Sequence, residues 1–286
     1  MTASEAPGAR ELLLLDALGN DRFRARHNLD NYAGAIFGGQ ALGQALAAAQ
    51  RTAPDWPAHA LSGYFLRAGA IGRPIDFAVE RVRDGRRFAA RRVVASQDGK
   101  AIFDLHCSFH AGSSPSLQHR FADAGRPPPP ETLRNVQEFA ADHAHRLPPG
   151  RAEMFARPFP VELRLLDSEQ YFTRPGAHAR DFWCRVPSAT GIERAQDHQA
   201  LLALLSDYWF PGIIGMPHAG HPKLRATLSL NESMWFHRAV RVDEWLLYRT
   251  ETLWADEGRG LARGLIFERD GQLVASVMQE AFLPLS

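Results

Sequence analysis

Residues 197–211 read DHQALLALLSDYWFP. Asp197 is a good N-cap type and Pro211-Gly212 a good stop, so the stretch between them reads as one helix. Ala200, Leu201, Leu202, Ala203, Leu204 and Leu205 make it apolar on every side. A helix without a polar face is buried all round, and this one is too short to span a bilayer. Near its end stands Asp207, with no Lys or Arg within a helical turn. Burial strips water from a carboxylate and raises its pKa unless hydrogen bonds compensate. Two readings are open at this point. Either the helix end frays and Asp207 points to water, or Asp207 is a catalytic base carried on a core helix.

Downstream of this helix, residues 226–282 alternate as a meander of strands. Upstream of it, residues 157–167 and 180–186 also read as strands. The first half of the chain has the same plan. Residues 11–21 (ELLLLDALGND) read as a short helix or an entry segment, and residues 21–28 as a strand. Gly38-Gly39 then opens the Ala-rich helix FGGQALGQALAAAQ, which ends near Thr52-Ala53-Pro54. Four strand-like runs follow it: HALSGYFLR, RPIDFAVERVRDG, RRFAARRVVASQDG and KAIFDLHCSFHA. Asp98-Gly99, between the last two, is a strong hairpin signal. Residues 112–130 include the run PPPP and read as a linker. Residues 131–146 read as a surface helix, closed by Leu147-Pro148-Pro149-Gly150.

The two halves match residue by residue. Asp270-Gly271 matches Asp98-Gly99, Asp256 matches Asp84, and Arg263 matches Arg91 at the same offset. Ser233, Phe236 and Arg238 match Ser62, Phe65 and Arg67, and Gln199-Ala200-Leu201 matches Gln40-Ala41-Leu42. The chain is therefore an internal duplication, the fused form of a twofold homodimer. Asp207 falls on Ala48, Gln279 on Cys107, and Ser229 near Ala58. The second half carries a polar set that the first lacks, which suggests one working site per chain; the alternative is ordinary drift after duplication.

Composition narrows the class. The chain has 286 residues with 45% hydrophobic content, enough for a substantial core. A net charge of +1 implies no strong field for nucleic acid. Two cysteines, Cys107 and Cys184, make no disulfide framework of the secreted kind. The apolar run near the N-terminus is too short for a signal peptide, no membrane-spanning segment is read, and the final LPLS is not a peroxisomal address. The expectation is a soluble, cytoplasmic protein without membrane insertion.

FGGQALGQAL, YFLRAG, RDGRRFAARRVVASQDGKAIF, LLSDYWF, SLNESMWFHR and DGQLVASVMQE together resemble the acyl-CoA thioesterase II family, the TesB-like double hotdogs. The similarity runs from about residue 12 to 283, weakest in the linker. The resemblance implies an α+β fold: two tandem helix-wrapped antiparallel sheets joined by a linker. It divides the chain into an N-terminal hotdog (1–111), a linker with a surface helix (112–156) and a C-terminal hotdog carrying the site (157–286). It implies a catalytic Asp at Asp207, a hydroxyl at Ser229 and a Gln at Gln279. These are the three residues that the repeat comparison singles out. The sequence departs from the family pattern at Asn231-Glu232, where relatives often have Asp-His, and at Ser62-Gly63 and Ala68 around YFLR.

A carboxylate, a hydroxyl and an amide suit activation of water, with direct attack on an acyl-CoA thioester and no acyl-enzyme. Backbone N–H groups of Gly38 and Gly39 at a helix start suit the oxyanion. Trp235 and Phe236 read as core aromatics partly lining an acyl tunnel, with Gly38 and Gly39 as further substrate contacts. No metal and no cofactor is expected: His218 and His221 have no nearby third ligand. Cys107 and His106 are adjacent on a strand, point to opposite faces, and cannot easily pair. No G-x-S-x-G elbow occurs. The expected assembly, by family analogy, is a homo-oligomer, dimer or tetramer. The alternatives are a hotdog enoyl-CoA hydratase and a non-catalytic acyl-CoA binding module.

Overall fold

Side-chain alternation sets the strands. Phe88–Gln97 (β5) buries every second residue, as does much of Lys100–His110 (β6), so each presents one face to the core. Asp98 and Gly99 both adopt positive φ (49° and 74°) and close the tight turn between them. The computed structural model describes residues 6–31, 34–112, 116–120, 122–146, 156–167, 176–224 and 226–285. The other strands of the first half are Asp16–Gly19 (β1), Arg22–Ala25 (β2), Ala58–Phe65 (β3) and Ile75–Asp84 (β4). The second half supplies Glu162–Leu165 (β7), Ala179–Arg185 (β8), Leu228–Phe236 (β9), Leu246–Asp256 (β10), Arg259–Glu268 (β11) and Leu273–Phe282 (β12). The helices described include Ala9–Leu12 (α1), Gly38–Gln50 (α2), Val136–Asp142 (α3), Ala195–Ser206 (α4) and Phe210–Gly215 (α5).

The described strands form one antiparallel sheet in the order β1-β2-β4-β5-β6-β3-β9-β12-β11-β10-β8-β7. The order is a palindrome about the β3–β9 seam. Ser62 faces Ser233 across that seam, their hydroxyls 2.6 Å apart. These are the two serines matched in the repeat, so the duplication axis passes between them. Helices α2 and α4 run antiparallel in the core shared by both halves. This is the α+β double hotdog that the resemblance implies.

The helices touch through glycine. A Cβ on Gly39 would lie 2.4 Å from the Leu204 carbonyl oxygen, and one on Gly43 would lie 2.7 Å from that of Ala200. Only glycine permits so close an approach. Gly43→Ala is expected to destabilise the protein by about 1–3 kcal/mol, by overpacking. Urea unfolding measures it; an unchanged midpoint would contradict the packing.

Several expectations are corrected. Residues 16–19 are a strand, not part of a helix or entry segment, because Asn20 and Asp21 both take positive φ (51° and 55°) and fold β1 back on β2. The helix expected over 131–146 is broken: α3 starts at the Asn135 cap, whose side chain accepts from the Gln137 amide, and short 3-10 turns flank it. Its Val136, Phe139 and Ala140 are buried. Residues 147–150 lie outside the described residues. Asp197 does not cap α4; the helix begins two residues earlier, and Asp197 lies in its first turn. Pro211 is not a stop but sits in the first turn of α5, where a missing N–H costs nothing. The run 195–218 is thus long and apolar enough to cross a bilayer by length and composition, yet 67% of its most apolar stretch is buried inside the protein.

The Arg263–Arg91 match is also corrected. Arg91 pairs with Cys107, but Ala262, not Arg263, pairs with Gln279. The β11–β12 ladder has slipped by one residue relative to β5–β6, and a one-residue slip reverses the faces. Arg91 is buried and bonded to Thr52 and Asp84, whereas Arg263 points to solvent and pairs with Glu251.

Candidate active site

Helix α4 ends at Asp207, and Trp209 turns the chain into α5 with a φ of 69°. That left-handed turn is strained for a bulky residue. It leaves Asp207 pointing back into the core, 4% exposed. The carboxylate meets the start of α2: a Cβ on Gly38 would lie 2.9 Å from Oδ2, and the Gly39 amide donates to the carboxylate. Ser229, at the start of β9, donates to Oδ1 over 3.4 Å. Gln279 on β12 donates to the same oxygen through Nε2 at 2.6 Å. The structure thus brings together Asp207, Ser229, Gln279 and both glycines.

Burial pushes the Asp207 carboxyl above its ordinary range, and the hydrogen bonds from Gln279, the Gly39 amide and Ser229 pull it back only in part. The helix C-terminus behind it adds an unfavourable dipole, and the N-terminus of α2 in front a favourable one.

Sequence reasoning missed Glu232. It faces Gln279 across the β9–β12 ladder and is fully buried. Gln279 Nε2 donates to its Oε2 at 3.0 Å, and the Ser206 hydroxyl lies 2.6 Å from its Oε1. Burial, and then the charge of Asp207, push this carboxyl well above the usual range, against its hydrogen-bond contacts with Ser206 and Gln279. A signal was available: Glu232 falls on Leu61 when Ser233 is set on Ser62.

A cavity of about 730 Å³ opens beside Asp207 and Ser229. Ile36, Phe37, Phe65, Phe103 and Phe159 give it apolar walls, with Gly38 at the carboxylate. Gln279 does not line it but stands behind the other two. Trp235 and Phe236 do not line it either. Trp235 is 43% exposed on the outer face and Phe236 is buried elsewhere in the core. The antiparallel seam explains this: it brings the end of β3, not the end of β9, to Ser229, so the wall is Phe65, the repeat partner of Phe236. At the symmetric position the first half holds Ala48, Ala58, Leu61 and Cys107, all buried. The Cys107 thiol is pushed up to about 12 by burial, and His106 points outward. Among the described residues no group of His, Cys, Asp and Glu could hold a metal ion.

Comparison with known proteins agrees with this architecture. Residues 26–110 match the family model for the acyl-CoA thioesterase N-terminal domain, and residues 122–283 match that for its C-terminal domain. The chain is 36% identical to acyl-coenzyme A thioesterase 8 of Rattus norvegicus, over 95% of this chain and 87% of the relative. It is 33% identical to acyl-CoA thioesterase 2 of Haemophilus influenzae, over 88% of each. Its fold is similar to the crystal structure of acyl-CoA thioesterase II TesB2 from Mycobacterium marinum, with a TM-score of 0.78, 31% identity and 97% of each chain covered. With both domain models matched in order and full-length relatives above 30% identity, the chain belongs to the acyl-CoA thioesterase II family.

Proposed function

We propose that the protein hydrolyses fatty acyl-CoA to the free acid and coenzyme A, with water activated by Asp207. The observation that carries this reading is the buried Asp207–Ser229–Gln279 cluster at an apolar-walled cavity. Three donors converge on the carboxylate and hold it in place. Its Oδ2 stands beside Gly38, a cavity wall, and is the oxygen that takes the proton. The water oxygen then attacks the thioester carbonyl carbon. The C–S bond breaks as the tetrahedral oxyanion collapses, and the leaving thiolate takes up the proton held by Asp207. Ser229, which lines the cavity, orients the water. Gln279 acts from behind, through the Nε2 hydrogen bond that holds the Asp207 carboxylate, and the water's other hydrogen goes to the Ser229 oxygen. The Gly39 amide is engaged by Asp207, so the Gly38 amide is the donor for the oxyanion.

The hotdogs are assigned to residues 1–111 and 157–286, with 112–156 as the linker. Exposed Tyr64 and Trp235 on the outer face near the seam support a homo-oligomer. Buried free thiols at Cys107 and Cys184 fit a reducing, cytoplasmic setting. A hydratase would pair the carboxylate with a histidine, whereas the partners of Asp207 here are Gln279, Ser229 and Gly39.

The test is release of free thiol from acyl-CoAs of short to long chain. The expected result is turnover of at least one chain length. Binding of acyl-CoA without any thiol release would overturn the reading in favour of a binding module.

A further inference from the structure

We infer that Glu232 is a positioning residue of this site: held as a neutral carboxylic acid, it fixes the Gln279 amide so that one N–H is left for Asp207. The inference rests on the hydrolase reading above and deepens it.

The hydrogens around Glu232 can be counted. Ser206 has one hydroxyl hydrogen and two close oxygens, the Ala203 carbonyl at 2.8 Å and Glu232 Oε1 at 2.6 Å. A carbonyl can only accept, so the Ser206 hydrogen goes to Ala203. The 2.6 Å contact then needs a hydrogen from Glu232. With that proton in place every close contact has one donor and one acceptor. Glu232 donates to Ser206, and its other oxygen accepts from Gln279. The remaining N–H of Gln279 goes to Asp207 at 2.6 Å.

Charge favours the same protonation state. Glu232 is fully buried, and its partners are a hydroxyl and an amide, with no Lys, Arg or His ion-paired to it among the described residues. An ionised carboxylate is rarely buried in this way. The titratable groups facing it are Asp207 at the end of α4 and Tyr248 on β10, with Cys184 on β8 behind Tyr248. The Tyr248 hydroxyl donates to the Ser206 carbonyl, and burial keeps both Tyr248 and Cys184 neutral. On β3 the cross-strand neighbour of Glu232 is Gly63. Asp207, on which three donors converge, is the member of the pair that holds the negative charge.

The repeat separates this chain of contacts from packing. On the duplication registers Glu232 falls on Leu61, Ser206 on Ala47 and Gln279 on Cys107, all buried. The same fold therefore closes over apolar side chains at these positions. Packing does not require the polar chain Ser206–Glu232–Gln279, which ends on Asp207.

Glu232→Gln and Glu232→Leu separate this role from a structural one. The glutamine has the same shape as the neutral acid, with an N–H for Ser206 and a carbonyl for Gln279. It is expected to keep kcat within about 3-fold of wild type, a change near the noise of a lost neutral contact. The leucine frees the Gln279 amide and is expected to lower kcat by roughly 10–100-fold with KM little changed, as loss of a supporting partner does. Infrared spectra of wild type minus Glu232→Gln at neutral pH should contain the carbonyl stretch of a protonated carboxylic acid. That arm needs only folded wild type and the isosteric variant. Carboxylate bands alone in the difference spectrum would overturn the neutral state. Equal losses in both variants, or full activity of the leucine variant, would overturn the positioning role. A wild type without turnover would instead refute the hydrolase reading, and the infrared result would still decide the protonation of Glu232.

Discussion

Asp207→Asn is expected to lower kcat for acyl-CoA hydrolysis by roughly 10²–10⁴-fold, the range for loss of a general base. KM should change little, because Asp207 acts on water and not on the acyl chain. Asparagine keeps the shape and can still accept from Gln279, so the loss is chemical and not structural. The wild-type kcat should fall on the acid side, where Asp207 takes up a proton. That limb should lie above the ordinary aspartate value of about 3.9, since burial outweighs the hydrogen bonds. The variant should lack it. Stability should move the other way. Between the ordinary value and the raised folded one, the folded protein holds a proton that the unfolded chain has released. Wild-type stability from this group therefore falls as pH rises across that window. Asp207→Asn removes the fall and should be at least as stable as wild type at neutral pH. A variant with near-full activity would end the assignment of Asp207.

Gln279→Leu is expected to damage both activity and stability. Its Nε2 is shared by Asp207 and Glu232. Removing it leaves two buried carboxyl groups each short of a donor, at about 1–3 kcal/mol apiece. Activity should fall by roughly 10–100-fold, as for other supporting partners of reactive groups. Because Gln279 pulls the Asp207 pKa down, its loss should move the acid limb of the kcat profile to higher pH. Calorimetry with the pH–rate profile checks both. A limb that stays in place or moves to lower pH would show that Gln279 does not donate to Asp207.

Much of this architecture was legible because the chain is duplicated. Matching Ser62 with Ser233 and Gln40 with Gln199 located the twofold without any structure. The same matching marked Asp207, Ser229 and Gln279 as polar where the first half is apolar. Other features depend on contacts that a single strand does not carry. Phe65 lines the cavity in place of Phe236 because of the antiparallel seam, which a linear comparison does not display. Counting residues sets Arg263 on Arg91, but a one-residue slip in the ladder puts Ala262 there. Glu232 was noticed only as a departure from the family pattern, since its weight comes from facing Gln279 across two strands. The strand at 16–19 was obscured by the leucines before it, although Asn20-Asp21 was a readable turn. Pro211 reads as a stop because proline breaks helices; it also begins them, and only the left-handed Trp209 before it distinguishes the two.

In the proposed reaction the new oxygen of the acid comes from a water activated at Asp207, with no acyl-enzyme. A single turnover in ¹⁸O-water, with enzyme in excess over acyl-CoA, tests it most directly. One ¹⁸O is expected in the released acid, with no label in the peptide that contains Asp207. Unlabelled acid with ¹⁸O in that peptide would mean that the Asp207 carboxylate itself attacked the thioester, and would rule out direct water attack.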